Sequence, residues 1–138
     1  RQAFTAFRDG CSEFEGIPAE SLYEQVAAFL LDLHRRGVFF RDLSAGNLLF
    51  GIRSDGNATF ALIDTTRARF DTRPLGLWQR LLDLMRLCHP LHQAGRDALL
   101  AHYLGGLGRT RRAWMRLPFA YYDLKHRIKG RLRRIRRA

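Results

Sequence analysis

The sequence has few cysteines, no long apolar run and hardly any lysine. Its 138 residues include two cysteines, Cys11 and Cys88, which stand far apart and form no Cys-x-x-Cys pair. This pattern indicates neither a disulfide framework nor a zinc site. No segment approaches the roughly 20 apolar residues that a membrane-spanning helix needs, and the first residues lack the pattern of a secretion signal. We therefore expect a cytoplasmic location.

The positive charge lies almost entirely at the C-terminal end. The net charge is +11, yet residues 1–108 carry 12 basic and 12 acidic side chains, whereas residues 109–138 carry 12 basic side chains and only Asp123 as an acid. Apolar residues recur every three or four positions along this tail, at Leu117, Tyr121, Leu124, Ile128, Leu132 and Ile135. A basic amphipathic helix is predicted for residues 109–138.

Two interpretations of this tail stay open. In the first, it binds anionic head groups on the cytoplasmic face of the inner membrane, because each Lys or Arg close to a bilayer contributes roughly 1 kcal/mol. The contacting residues would be Arg127, Lys129, Arg131 and Arg134. In the second, the apolar stripe packs on the domain and the arginines remain solvated. The tail has no recognisable motif that reads nucleic acid, so we expect no nucleic-acid partner.

Residues 1–108 have the pattern of one domain with several helices. Ser21 and Glu24 form a capping box, and Gly37 supplies a stop, so a helix is predicted over residues 22–36. A second apolar stripe predicts a helix after Pro74 that Pro90 ends, on the positions Leu77, Leu81, Leu84, Met85 and Leu87. A third helix is predicted from about Arg96 to Leu104, closed by two glycines.

Short strands are predicted between the first two helices. Val38 to Phe40 is one apolar run, and the segments 48–53 and 59–63 are two more. Asp55-Gly56 lies between the last two and is a typical signal of a tight turn. Residues 48–53 and 59–63 should therefore pair as an antiparallel hairpin.

Polar residues cluster around this hairpin. Arg41-Asp42 is followed by Asn47, five residues after the Asp, and Asp64 ends the far strand. Asp and Asn in loops often do no more than form turn hydrogen bonds. In this order and context, however, the three residues resemble the catalytic loop and the metal-binding Asp of protein kinases.

The resemblance implies a role for each residue. Asp42 would be the catalytic base that orients the acceptor hydroxyl, and Asn47 and Asp64 would hold Mg²⁺ on the phosphates of ATP. It also implies the fold class: α+β, mostly helical, like the C-terminal lobe of a protein kinase with short β-hairpins at the catalytic loop. The catalytic loop would be residues 40–47, and the metal-binding segment residues 62–70.

Several departures from the protein-kinase pattern argue against an ordinary protein kinase. Phe40 stands in place of the usual His, Ser44 in place of a Lys that contacts the transferred phosphate, and Thr65-Thr66 in place of Phe-Gly. The run from residue 34 to 43, with residues 63–70, is similar to the lipopolysaccharide Kdo/heptose kinase family. That family implies transfer of phosphate from ATP to a sugar hydroxyl of the lipopolysaccharide core. Candidate substrate contacts are Arg41, Ser44, Arg67 and Arg69. The last two either steer an anionic acceptor or are solvent-facing or ion-paired.

The part of a kinase that covers the phosphates is absent from these residues. No lysine precedes Lys125, and no glycine-rich loop opens a helix. The chain also opens with Arg1 rather than Met, so we expect that an N-terminal lobe is missing and that residues 1–138 alone are inactive. Three alternatives remain: a small-molecule phosphotransferase of the aminoglycoside or choline type, a pseudokinase, and a non-catalytic basic binding module.

Overall fold

The computed structural model describes residues 11–105, 118–122, 124, 125 and 128. The chain divides into two compact units, residues 1–105 and residues 106–138. Within residues 11–105 the elements are β1 (Glu13–Phe14), β2 (Ile17–Pro18), α1 (Ala19–Arg35), β3 (Val38–Phe39), β4 (Leu48–Ile52), β5 (Ala58–Leu62), a 3₁₀ turn (Thr65–Arg67), β6 (Arg69–Phe70), α2 (Leu77–Cys88) and α3 (Gln93–Tyr103). These strands pair two by two into antiparallel sheets, as β1–β2, β3–β6 and β4–β5.

Helix α1 begins three residues before the predicted start. Its N-cap is Pro18, with no side-chain cap, and the main-chain N–H of Ala19 donates to the Ser12 carbonyl oxygen at 2.8 Å. The predicted capping box is therefore wrong. Ser21 lies inside the first turn, where its hydroxyl accepts a hydrogen bond from Gln25 Nε2 at 3.1 Å. The preceding hairpin, rather than a local serine, fixes where the helix starts.

Gly37 ends α1 as predicted, for a reason beyond its own flexibility. Its φ of +81° lies in the left-handed region, and a Cβ atom at this position would come within 2.2 Å of the Asp71 carbonyl oxygen. The Asp71 N–H donates to the Gly37 carbonyl at 2.9 Å. The close approach lets β3 pair with β6, with Val38 opposite Phe70.

The predicted hairpin of β4 and β5 is confirmed. Its register places Leu48 opposite Leu62 and Ile52 opposite Ala58. The hairpin is fixed to α1 at two points: the rings of Phe29 and Phe60 lie 5.3 Å apart, and the Ala58 N–H donates to Gln25 Oε1 at 2.7 Å.

Helices α2 and α3 are also confirmed, with corrections at their first turns. Leu77 was placed on the buried stripe of α2, but its side chain is 49% exposed, because it is the first residue of the helix. Helix α3 begins at Gln93 rather than Arg96, since the His92 ring accepts the Gly95 N–H at 2.8 Å and caps it. The side chains buried on α2 are Leu81, Asp83, Leu84, Met85, Leu87 and Cys88.

The second unit is described only in part. Residues 118–122, 124, 125 and 128 are helical; within them Phe119 is buried, whereas Tyr121, Leu124 and Ile128 are exposed. The predicted contacts Arg127, Lys129, Arg131 and Arg134 lie outside the described residues. Within the described part of the chain, no helix combines the length and apolar character needed to cross a bilayer.

Candidate active site

The loop between β3 and β4 presents polar residues on an apolar base. Three apolar side chains of at most 2% exposure fix this loop in the core. Phe40 lies at its start, Leu43 in its middle and Leu48 at its end. Between these anchors the Asp42 side chain is 36% exposed. Asp42 is therefore held on a rigid support, yet it can be reached from solvent.

A buried carboxylate of α2 holds the start of this loop. The main-chain N–H groups of Phe40 and Arg41 donate to the two oxygens of Asp83, each at 2.8 Å. Arg41 has a φ of +66°, a left-handed conformation that costs a non-glycine residue roughly 1–2 kcal/mol. The two hydrogen bonds, accepted by a charged group, offset that cost. Asp83 thus fixes the backbone immediately before Asp42.

Asp83 is the end of a buried polar chain. His34 Nε2 lies 3.5 Å from Asp83 Oδ2, and His34 Nδ1 lies 2.6 Å from the Tyr103 hydroxyl. Burial raises the pKa of Tyr103 to about 12, so its hydroxyl keeps its proton at neutral pH. The His34 ring thus contacts the Tyr103 hydroxyl through Nδ1 and faces Asp83 with Nε2. Helices α1, α2 and α3 each contribute one side chain to this support.

Hydrogen bonds place Asn47 beside Ile63, the residue before Asp64, at one end of the hairpin. The Asn47 amide nitrogen donates to the Asp42 carbonyl at 3.0 Å, and the Ile63 N–H donates to the Asn47 carbonyl at 2.9 Å. Asp64 follows directly, with a φ of +58°, and its Oδ1 accepts the Thr66 hydroxyl at 2.8 Å. The amide oxygen of Asn47 and the carboxylate of Asp64 thus belong to adjacent positions across the hairpin.

Asn47 and Asp64 offer the kinds of oxygen donor that Mg²⁺ prefers. Magnesium in phosphate-transfer sites takes one or two protein oxygen ligands and completes its octahedron with phosphate and water. The described residues contain no group of three or more His, Cys, Asp or Glu side chains that could hold a metal, so they favour no all-protein cage. The hydrogen bond from the Asn47 nitrogen leaves its amide oxygen for a cation.

Two arginines contact the Asp42 carboxylate. Arg86 of α2 forms a hydrogen-bonded ion pair with Oδ1, and Arg67 of the 3₁₀ turn lies 3.5 Å from Oδ2. Arg67 had been predicted to contact substrate. The sequence had not singled out Arg86, because one arginine among 22 carries no distinguishing signal.

The remaining candidate substrate contacts are Arg41, Ser44 and Arg69. The side chains of Arg41 and Arg69 are exposed, and that of Ser44 is partly buried. Arg69 lies in β6 opposite Phe39 and, among the described residues, forms no ion pair with Asp42 or Asp64. These three residues stay predictions as substrate contacts.

Sequence reasoning also missed the buried support of the loop. Asp83 lies within the leucine stripe of α2, and an acid at an apolar position is a signal that could have been used. His34 and Tyr103 gave no such signal, because their contact joins residues 69 positions apart.

Comparisons with known proteins identify the family and the fold of this chain. Residues 7–121 match the family model described as "Lipopolysaccharide kinase (Kdo/WaaP) family". A solved structure, "WaaP in complex with acyl carrier protein", matches with a TM-score of 0.59 and 24% sequence identity, over 75% of this chain and 48% of that one. The comparison with curated proteins found no match. The likeness to WaaP confirms the expected α+β, kinase-like fold. The chain belongs to the Kdo/WaaP lipopolysaccharide kinase family.

Proposed function

We propose that the protein containing this chain transfers phosphate from ATP to a sugar hydroxyl of the lipopolysaccharide inner core, with Mg²⁺ as the metal. Family membership supports kinase chemistry on lipopolysaccharide. The chain spans 48% of the matched WaaP chain, so this activity is proposed for the whole protein. The observation that carries the proposal is that hydrogen bonds join Asn47 both to Asp42 and to Ile63, the residue directly before Asp64.

Each of the three residues has a task in this proposal. Asp42 accepts the hydrogen bond of the acceptor hydroxyl and aims its oxygen at the phosphate, which contributes typically 10²–10⁴-fold to such a step. Asn47 and Asp64 hold Mg²⁺, which neutralises charge on the phosphates when bound. The hydrogen bond from Asn47 to the Asp42 carbonyl connects the metal position to the base.

The test is an acceptor comparison with the full-length protein. Magnesium-dependent transfer of labelled phosphate from ATP is measured on purified lipopolysaccharide core, on an aminoglycoside and on choline. Transfer to the lipopolysaccharide core alone is the expected result. Transfer to a small amine alcohol in preference to the core would contradict the proposed substrate class, and transfer to no acceptor would favour a pseudokinase.

We also propose peripheral attachment to the cytoplasmic face of the inner membrane through the basic tail. The support is the concentration of charge in residues 109–138 and the exposed apolar residues Tyr121, Leu124 and Ile128. Such a surface would bring the active site to a lipid-linked acceptor.

A further inference from the structure

Each oxygen of the Asp42 carboxylate has an arginine partner. Arg86 occupies Oδ1, and Arg67 faces Oδ2 at 3.5 Å. An acceptor hydroxyl needs one of these oxygens as its hydrogen-bond acceptor. The hydroxyl would therefore compete with the arginines for the lone pairs of these two oxygens.

The two guanidinium groups converge on the Asp42 carboxylate, each through one terminal nitrogen. A guanidinium has five N–H donors, more than a single contact uses. The side chains of Arg67 and Arg86 are 60% and 39% exposed, so a solute can reach both. Guanidinium groups bind phosphate and carboxylate groups in a planar, two-point geometry that suits a second anion here.

Helix α2 connects this charge to the loop. Asp83 holds the main chain of Phe40 and Arg41, and Arg86 follows Asp83 by three residues on the same helix, so that both face the loop. The position of the Arg86 guanidinium is thus fixed by the element that positions Asp42. Ser44, which lies in the loop itself, adds no positive charge beside Asp42.

We propose that Arg67 and Arg86 form an anion subsite beside Asp42, which binds a phosphate or carboxylate group of the reactants and thereby releases an Asp42 oxygen for the acceptor hydroxyl. The anionic group comes either from the acceptor sugar or from the phosphoryl group in transfer. This inference rests on the proposed function for the identity of the reactants, but not for the binding of an anion.

Binding of inorganic phosphate to the full-length protein tests the subsite without any kinase activity. Asp42→Asn removes the carboxylate that competes for both arginines, so phosphate binding measured by calorimetry should tighten by about tenfold. Adding Arg86→Gln to Asp42→Asn should abolish that gain. The matched control is Arg36→Gln, since Arg36 forms an exposed ion pair with Asp32 at 2.9 Å in α1; combined with Asp42→Asn, it should leave the gain intact. An unchanged affinity in Asp42→Asn, or a gain that survives Arg86→Gln, would overturn the proposal.

Kinetics then identify the source of the anion. Arg67→Gln and Arg86→Gln are assayed on lipopolysaccharide core acceptors that carry or lack an anionic group on the sugar. A KM raised tenfold or more for the charged acceptor only assigns the subsite to the acceptor. A kcat lowered equally for both acceptors assigns it to the transferred phosphoryl group. Arg86→Lys should restore part of the loss, because it returns the charge without the planar geometry. Wild-type KM and kcat with both acceptors would contradict the subsite.

If the protein transfers phosphate to no lipopolysaccharide acceptor, the proposed function fails and the phosphate-binding experiment still decides on the subsite. The two failures are therefore distinguishable.

Discussion

At the residue scale, the buried Tyr103 is connected to the candidate active site through two side chains. Its hydroxyl contacts His34 Nδ1, His34 Nε2 faces Asp83, and Asp83 holds the main chain before Asp42. Helix α3 thus reaches the catalytic loop through two buried side chains.

The raised pKa of Tyr103 predicts a specific alkaline instability. Burial raises this pKa from 10.0 to about 12, so above pH 10 the unfolded chain loses a proton that the folded chain keeps. The stabilising contribution is complete below pH 10 and is lost as the pH rises toward 12, by up to roughly 3 kcal/mol. Urea unfolding between pH 8 and 12 should show this decrease in the wild type.

Tyr103→Phe isolates the effect. The variant should be less stable by about 1–3 kcal/mol at pH 8, because His34 Nδ1 loses its partner. Its stability should fall less steeply than that of the wild type between pH 10 and 12. Tyr121→Phe is the control, since Tyr121 is 68% exposed. Parallel pH curves for the wild type and Tyr103→Phe would contradict the assignment.

Site residues differ in how far the sequence reveals them. Asp42, Asn47 and Asp64 could be chosen because their spacing along the chain resembles a known catalytic loop. Arg86 could not, because its importance depends on the packing of α2 against a loop more than 40 residues away. The spacing of apolar residues identifies the buried face of a helix. It does not indicate which polar groups elsewhere in the protein need a hydrogen-bond partner on that face.

At the scale of elements, local signals set the kind of element and tertiary contacts set its limits. The turn signal at Asp55 and Gly56 was enough to predict β4 and β5. The first residue of α1 depends on a hydrogen bond from Ala19 to Ser12, and the pairing of β3 with β6 depends on contacts across more than 30 residues. Neither leaves a trace in a short sequence window.

The junction between α1 and β3 gives a test at this scale. Gly37→Ala should destabilise the protein by about 3 kcal/mol or more, because it combines left-handed strain with a clash against the Asp71 carbonyl oxygen. Gly56→Ala has the same φ of +81° but meets nothing within 4 Å, so it should cost only about 1–2 kcal/mol. Urea unfolding measures both variants. Equal losses would show that close approach of the backbone is not what requires Gly37.

At the scale of the whole molecule, charge is divided as sharply as structure. The unit of residues 1–105 contains the candidate active site, whereas the net positive charge belongs to residues 109–138. This division suits a protein that acts on an acceptor embedded in an anionic surface.

Removal of four tail charges tests this interpretation. The variant with Arg127, Lys129, Arg131 and Arg134 all replaced by Gln should lose about 4 kcal/mol of affinity for anionic vesicles, which is a nearly thousandfold decrease. The loss of affinity is measured by flotation with vesicles that contain about 30% phosphatidylglycerol, and neutral vesicles serve as the reference. Equal flotation of the wild type with neutral and anionic vesicles would remove the membrane proposal.

The central claim is that Asp42 acts as the catalytic base of a kinase-like active site. Its most direct test is the kcat of Asp42→Asn in the full-length protein, with ATP, Mg²⁺ and lipopolysaccharide core as substrates. We expect kcat to fall by 10²-fold or more, because the base is lost while shape is kept. Asp55→Asn, in the exposed hairpin turn, should keep wild-type kcat. An Asp42→Asn protein that folds and retains its kcat would contradict the account.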